Sequence, residues 1–282
     1  MTAVRLLLPL VLAAAILLPG AAGAAPAVSR CLAVAENLGP VMRVAYRGPD
    51  TVSGFRPRAR TASLQNDEVR ITFVGHATFL IESPGGVRIA TDYAGWHGQG
   101  PVPEVVTMNH AHETHYTDYP DPKIEHVLRG WNPEGGPAVH NLTVSDVFIR
   151  NVSTNIRRWS GGTEEFGNSI FIFETAGLCI GHLGHLHHEL TDQQLAHIGQ
   201  LDIVMAPVDG SYTLDTDGMM KVLKDLQARL VLPMHYFGPS TLERFLTALG
   251  ASYAVRRNDT ASIVISQKTM PDRPQVLVLP GY

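Results

Sequence analysis

The sequence predicts a mixed α/β domain in which β-sheets pack together with helices outside. Two patterns predict this. Short apolar segments, several of them alternating, run from Val69 onward, and helical signals begin only in the second half, between further strand segments. The 282 residues are 45% hydrophobic and 17% charged, with apolar side chains spread along the chain, which supports a buried core and excludes a disordered chain.

The elements follow in order. Val69, Ile71 and Phe73 alternate with polar residues, Phe79 and Ile81 alternate again, and Pro84-Gly85-Gly86 makes a turn. Residues 87–91, 105–109, 147–152 and 170–173 read as further strands. Thr191-Asp192-Gln193-Gln194 has capping-box spacing, which starts a helix running to about residue 198. A strand over residues 203–206 ends at Pro207, a helix spans about 216–226, and a strand over 230–232 ends at Pro233. Ser240-Thr241-Leu242-Glu243 is a second capping box, with Gly250 just past its helix. Residues 263–265 and 276–279 close the chain as strands.

Ahead of this domain lies an address. Arg5, an apolar run over residues 6–18, the break at Pro19-Gly20 and the small-x-small site Ala22-Gly23-Ala24 make a secretory signal peptide over residues 1–24. The apolar run is shorter than the roughly 20 residues a membrane span requires. Cleavage after Ala24 is therefore expected, giving a periplasmic or secreted protein with no stable span. Residues 25–66, with Pro26, Pro40, Pro49 and Pro57, read as an irregular arm, and 67–282 as one domain. The net charge of −4 gives no basic footprint for nucleic acid. Two cysteines exclude a disulfide scaffold and any Cys-rich zinc module. In an oxidising compartment Cys31 and Cys179 can pair, and Leu178-Cys179-Ile180 reads equally well as a strand with a buried thiol. Nothing in the sequence bears on oligomeric state.

Thirteen histidines carry the chemistry, most of them in short clusters. After the strand ending in Met108 comes Asn109-His110-Ala111-His112-Glu113-Thr114-His115. Alternate residues of an extended segment point the same way, so His110 and His112 reach one ion, and His115 returns from beyond the turn. Imidazole is the commonest metal ligand outside thiol sites and suits Zn, Cu, Fe and Ni. In Gly181-His182-Leu183-Gly184-His185-Leu186-His187-His188, the Gly184 turn aims His185 at the site. His182 is a ligand or a supporting residue, and His187 and His188 belong at the surface. His235 in Pro233-Met234-His235-Tyr236 ends another strand, where active-site loops form.

Gly75-His76-Ala77-Thr78-Phe79-Leu80-Ile81-Glu82, the loop His110-x-His112-x-x-His115, the Gly184 turn and Pro233-Met234-His235-Tyr236 together resemble the metallo-β-lactamase superfamily. The stretch Leu190-Thr191-Asp192-Gln193-Gln194-Leu195, then Pro207-Val208-Asp209-Gly210 and Thr213-Leu214-Asp215, is similar to its ascorbate-6-phosphate lactonase-like and N-acylethanolamine phospholipase D-like branch. The resemblance covers about residues 67–266. It implies an αββα four-layer sandwich with a metal site at one edge, and metal ligands at His110, His112, His115, His185 and His235. Asp92 would brace the histidine loop, and His76 would support the site or face the substrate.

Three positions depart from the family pattern. Thr114 stands where the family has an aspartate, His185 replaces the carboxylate that bridges two metals, and residues 152–159 lack an expected histidine. Without those carboxylates two dications would repel with little compensation. One divalent transition ion is therefore expected rather than two, and the resemblance implies zinc. Glu113 adjoins the vacant base position but faces the opposite way along an extended segment, so it reads first as an exposed carboxylate. Tyr236 is a candidate oxyanion donor and Arg157 a candidate anion binder, each with a plain packing or surface alternative. The function implied is an exported metal-dependent hydrolase that cleaves an ester-like bond (lactone, phosphodiester or amide) of a small molecule with metal-bound hydroxide. The alternative is a catalytically weakened member that binds metal or a small ligand. A redox role for a His-ligated metal has no signal beyond ligand type.

Overall fold

A computed structural model of the chain describes residues 29–32, 63–158 and 160–281. The expected signal peptide and nearly all of the arm over residues 25–66 lie outside the described residues. A six-stranded sheet is built from β1 (Val69–Gly75), β2 (Thr78–Glu82), β3 (Arg88–Ala90), β4 (Val105–Met108), β5 (His126–Arg129) and β13 (Ser262–Ile265), in the order β13-β1-β2-β3-β4-β5. An eight-stranded sheet contains β6 (Asn141–Val144), β7 (Val147–Arg157), β8 (Thr163–Thr175), β9 (Leu178–His182), β10 (Ile203–Pro207), β11 (Leu230–Met234), β12 (Ala254–Arg257) and β14 (Gln275–Val278), in the order β12-β14-β11-β10-β9-β8-β7-β6.

The two sheets face each other across one apolar layer. Ile71, Phe73, Phe79 and Ile81 of the first sheet pack with Phe171, Phe173, Ile180, Met205 and Leu232 of the second. A second layer fills the outer face of the larger sheet. There Val204, Ala206 and Val231 meet α1 (Asp192–Ile198), α2 (Thr216–Leu226) and α3 (Pro239–Leu249) through Ile198, Val222, Leu223, Phe245 and Leu249. Strands β9, β10 and β11 are buried along their whole length, and β10 is parallel to both neighbours. Strands covered on both faces read as unbroken apolar runs, as these do. The outer face of the six-stranded sheet, with Val74, Leu80, Ala90 and Met108, is covered by Tyr93, Ile124, Tyr116 and Trp131 from loops. The result is the expected mixed α/β sandwich of two sheets, and among the described residues its helices lie on one side.

Several local expectations are refined. The capping box at Thr191 forms, with both reciprocal bonds to Gln194. The one at Ser240 does not: α3 starts earlier, at Pro239, with Gly238 before it and no side-chain cap. Proline at the first helical position needs no N–H partner and sets the helical φ, so the helix begins there. Cys31 and Cys179 form a disulfide, with Cα atoms 6.0 Å apart.

The topology positions the site. Strands β1, β3 and β4 run the same way in one sheet, and β9, β10 and β11 in the other. The segments leaving their C-terminal ends carry His76, Asp92, His110–His115, His185, Asp209 and His235 to a common edge. Hydrogen bonds close that edge between the sheets: His235 N–H donates to His76 O at 2.7 Å, and His110 N–H to Gly167 O at 2.9 Å.

Candidate metal centre

Five imidazoles meet at this edge. His112, His115 and His235 form a mutual trio, with ring centroids 4.5 Å (His112–His115), 5.1 Å (His115–His235) and 5.9 Å (His112–His235) apart. His76 lies on one side, its ring 4.3 Å from His235 and 5.0 Å from His115. His185 also contacts all three, at 4.8, 4.7 and 4.7 Å. One nitrogen from each of His76, His112, His115 and His235 falls within 4.8 Å of the other three, a spacing that encloses an ion.

Four of the five rings are oriented from behind. His115 Nδ1 lies 2.6 Å from Asp92 Oδ2, and His235 Nδ1 lies 3.0 Å from Asp209 Oδ1. His112 Nδ1 meets Thr114 Oγ1 at 2.8 Å, and His185 Nδ1 meets His187 Nε2 at 2.6 Å. Carboxylates and hydroxyls on the far nitrogen fix a ligand's tautomer and direction. The nitrogens left over carry the fit test. Nε2 of His115 and Nε2 of His235 are buried with no hydrogen-bond partner, and Nε2 of His112 and His185 face each other at 3.1 Å. A buried nitrogen without a partner costs about 1–3 kcal/mol, so orphaned nitrogens in an ion-sized cluster fit a metal.

The electrostatics agree. Burial, helped by the neighbouring imidazoles, pushes His115 and His185 far below the ordinary histidine value. Burial likewise lowers His112, and takes His76 to about 4. Neutral imidazole is the form that ligates, so these four rings are held ready. Burial raises Asp92 to about 6, against opposing effects of His182 and Asn109. For Asp209 burial acts upward, but hydrogen bonds from His235 and Thr213 outweigh it and hold the carboxyl below its usual range. Backbone strain concentrates here too. His76, Asp92 and His235 have φ of 50°, 41° and 54°, the left-handed region that side-chain-bearing residues avoid. Gly184, at φ 59°, lies where a Cβ would come within 2.3 Å of both Asn109 Nδ2 and Asn168 Oδ1, so only glycine fits the turn that presents His185.

The remaining sequence candidates are placed differently. His110 stands outside the cluster: its ring stacks on Trp131 at 4.9 Å and its Nδ1 lies 2.5 Å from Glu164 Oε1. The alternation of an extended strand does not hold there, because residues 109–115 form a turn closed by Asn109 N–H donating to His115 O at 3.1 Å. His182 lies behind the site, with Nε2 on Ala77 O at 2.8 Å and Nδ1 accepting from Gly184 N–H at 3.1 Å, so neither nitrogen is left for an ion. His187 is half-buried against His185, where the surface was expected. Tyr236 donates its hydroxyl to Leu279 O at 3.4 Å and packs near Phe73, which removes it as an oxyanion donor. Arg157 Nη2 donates to the carbonyls of Ser211, Tyr212 and Thr213 at 2.8, 3.3 and 3.3 Å, so it grips a loop beside the site. Glu113 is exposed. Thr114 Oγ1 also reaches His76 Nε2 at 2.9 Å, tying two rings of the cluster together.

Two supporting residues lie in the motifs named above but take no role from the sequence alone. Asp209 follows β10 as His235 follows β11, and its position directly after a buried strand was the available signal. Asn109 donates to Asp92 Oδ1 at 2.7 Å and accepts from Ser169 N–H at 2.7 Å, linking the histidine loop to the opposite sheet.

With this geometry in view, comparison with known proteins places the chain. A family model described as a β-lactamase superfamily domain matches residues 70–235, from β1 to the last histidine of the cluster. The protein belongs to the metallo-β-lactamase superfamily. It is 24% identical over 195 residues to a metal-dependent hydrolase of Thermoplasma volcanium, covering 60% of this chain and 84% of that protein. It is 26% identical over 215 residues to another from Methanoregula boonei, covering 70% and 94%. Among solved structures it is similar to a protein of Thermotoga maritima described as a Zn-dependent hydrolase of the same superfamily. The TM-score is 0.56 and the identity 28%, covering 76% of this chain and 100% of that one.

Proposed function

We propose that this protein is an exported hydrolase that uses one divalent transition ion, zinc by its similarity to a Zn-dependent hydrolase, to cleave an ester-like bond in a small molecule. We place it in the ascorbate-6-phosphate lactonase-like and N-acylethanolamine phospholipase D-like branch, on the motifs around residues 190–215. The observation that carries the reading is the pair of buried, partnerless Nε2 atoms of His115 and His235 beside His112. His112, His115 and His235 would hold the ion and leave a fourth position open, with His76 and His185 beside it. The related metal-dependent hydrolases support the reaction class.

The charge balance supports one ion. Burial favours the neutral form of His76, His112, His115 and His185, and the carboxylates Asp92 and Asp209 stand directly behind His115 and His235. Two negative charges balance one dication, and a second would be uncompensated. His110, turned toward Glu164 and Trp131, contributes nothing to a second site in this arrangement. When bound, the ion supplies Lewis-acid polarisation of the scissile bond and activates water near neutral pH. The chain's own residues orient and exclude. Asp92 and Asp209 hold two rings, and Thr114 holds His112 and His76 while presenting the one hydroxyl at the position where a base carboxylate is expected.

A second reading rests on His76 and His185. With both imidazoles engaged the ion would be saturated, and the protein would bind metal without turnover. Metal-dependent hydrolysis of a lactone and ester panel by the zinc-reconstituted protein, abolished in H235A, supports the hydrolase. Stoichiometric metal with no turnover on any member of the panel supports the binding protein.

A further inference from the structure

Large apolar side chains left in water are informative when they gather beside a functional site. Phe237, 60% exposed, and Tyr212, 48% exposed, come from different loops and meet with ring centroids 5.3 Å apart. Phe237 also lies 5.4 Å from the His235 ring and 6.1 Å from the His76 ring. The pair therefore forms an aromatic wall at the mouth of the histidine cluster.

The loop carrying Tyr212 is held on both faces. Asp209 Oδ2 accepts from the N–H groups of Ser211, Tyr212 and Thr213 at 2.9, 2.5 and 3.2 Å. On the other side the Arg157 guanidinium takes the carbonyls of the same three residues, and Arg244 donates to Asp209 O at 3.2 Å. Asp209 also orients His235, so one carboxylate fixes both a ring of the metal centre and the loop beside it. A preorganised surface of this kind binds without an ordering cost. Arg157 and Arg244 each reach this loop through one Nη2, which donates to its carbonyl oxygens, while the exposed surface they support is aromatic. Binding sites of this sort recognise the apolar part of a ligand.

We infer that Phe237 and Tyr212 form a recognition shelf for an aryl or alkyl group carried next to the scissile bond of a neutral ester. This inference rests on the hydrolase reading for the bond that is cleaved, and on the shelf alone for the group that is bound.

The test uses two matched pairs with the zinc-loaded protein. In the first, kcat/KM is measured for ethyl phenylacetate and ethyl acetate. In the second, binding of phenylacetamide and acetamide is followed by NMR titration. Wild type is expected to prefer the phenyl member at least tenfold in both. Phe237→Ala should cut that preference at least fivefold, chiefly through KM, with Tyr212→Ala acting in the same direction and Phe237→Trp restoring it. Val255→Ala, at an exposed apolar position on edge strand β12, should leave it unaltered. Phenyl-selective binding without turnover would retain the shelf and remove the hydrolase reading. Turnover with no phenyl preference, or a preference unchanged in Phe237→Ala and Tyr212→Ala, would overturn the shelf while leaving the hydrolase standing. Binding of neither amide by wild type would also overturn it.

Discussion

Asp92 Oδ2 and His115 Nδ1 lie 2.6 Å apart with both side chains fully buried, and the opposite nitrogen of His115 has no partner. Burial pushes Asp92 up to about 6 and His115 down, so near neutral pH the metal-free pair is a carboxylate facing a neutral imidazole. An ion on Nε2 requires the Nδ1 proton to be donated to the carboxylate, which ties ion affinity to Asp92. Asp92→Ala is expected to weaken zinc binding by about 10–100-fold and to destabilise the fold by about 1–3 kcal/mol through the orphaned Asn109 and His115. Asp92→Asn, which still accepts a hydrogen bond, should fall between. Competition titration with a chromogenic chelator and a melting curve check both, and wild-type affinity in Asp92→Ala would remove the positioning role.

His110 and His235 test the geometry against the family pattern. Because His110 sits on Trp131 and Glu164, His110→Ala should keep its zinc, while His235→Ala should lose at least tenfold in affinity as a direct ligand is removed. Equal losses in the two variants would show that His110 ligates after all.

This difference marks how far the sequence can be read. Strands and histidine-bearing loops are legible because burial on both faces leaves unbroken apolar runs, and because the metal residues follow strand ends, as in β4, β9 and β11. Ring direction is not legible. His110 is turned by Glu164, 54 positions away, and by the closing of its own loop, neither of which appears in local spacing. His76 reads from the sequence only as a supporting or substrate-facing residue, because its neighbours in the cluster follow β4, β9 and β11. Arg157 looked available because the carbonyls it grips lie more than fifty residues downstream. Strand β12 carries no burial signal, since all four of its residues are exposed.

The Cys31–Cys179 disulfide joins positions 148 residues apart, and Glu174 anchors the same segment through Ser29 Oγ and Arg30 N–H at 2.5 and 2.9 Å. Constraining so long a loop in the unfolded chain is worth about 2–5 kcal/mol. Cys179 sits near the start of β9, about 10 Å in strand length from His182 at its end. Reduction, or a Cys31→Ser and Cys179→Ser double variant, should therefore lower the denaturant midpoint but leave zinc stoichiometry intact. Loss of metal on reduction would contradict that separation.

Acid should unfold the metal-free protein. Burial takes His76 and His187 from 6.5 in the unfolded chain to about 4 in the folded one. Between those values the unfolded state binds more protons, so stability is present above about pH 6.5 and is lost as pH falls toward 4. Asp92 acts oppositely: raised from 3.8 to about 6, its contribution is present at low pH and lost as pH rises through 6. The histidines outnumber it, since His112, His115, His182 and His185 are also lowered. The melting temperature of chelator-treated protein should fall from pH 7 to pH 4, and a flat or rising profile would refute the neutral-imidazole assignment.

The central claim is a single ion held by His112, His115 and His235 in front of two carboxylates. Inductively coupled plasma mass spectrometry of protein reconstituted with excess zinc and dialysed to constant composition tests it directly. Close to one zinc per chain is expected, falling toward zero in His115→Ala and His235→Ala. Two tightly held ions per chain, or undiminished zinc in both variants, would contradict it.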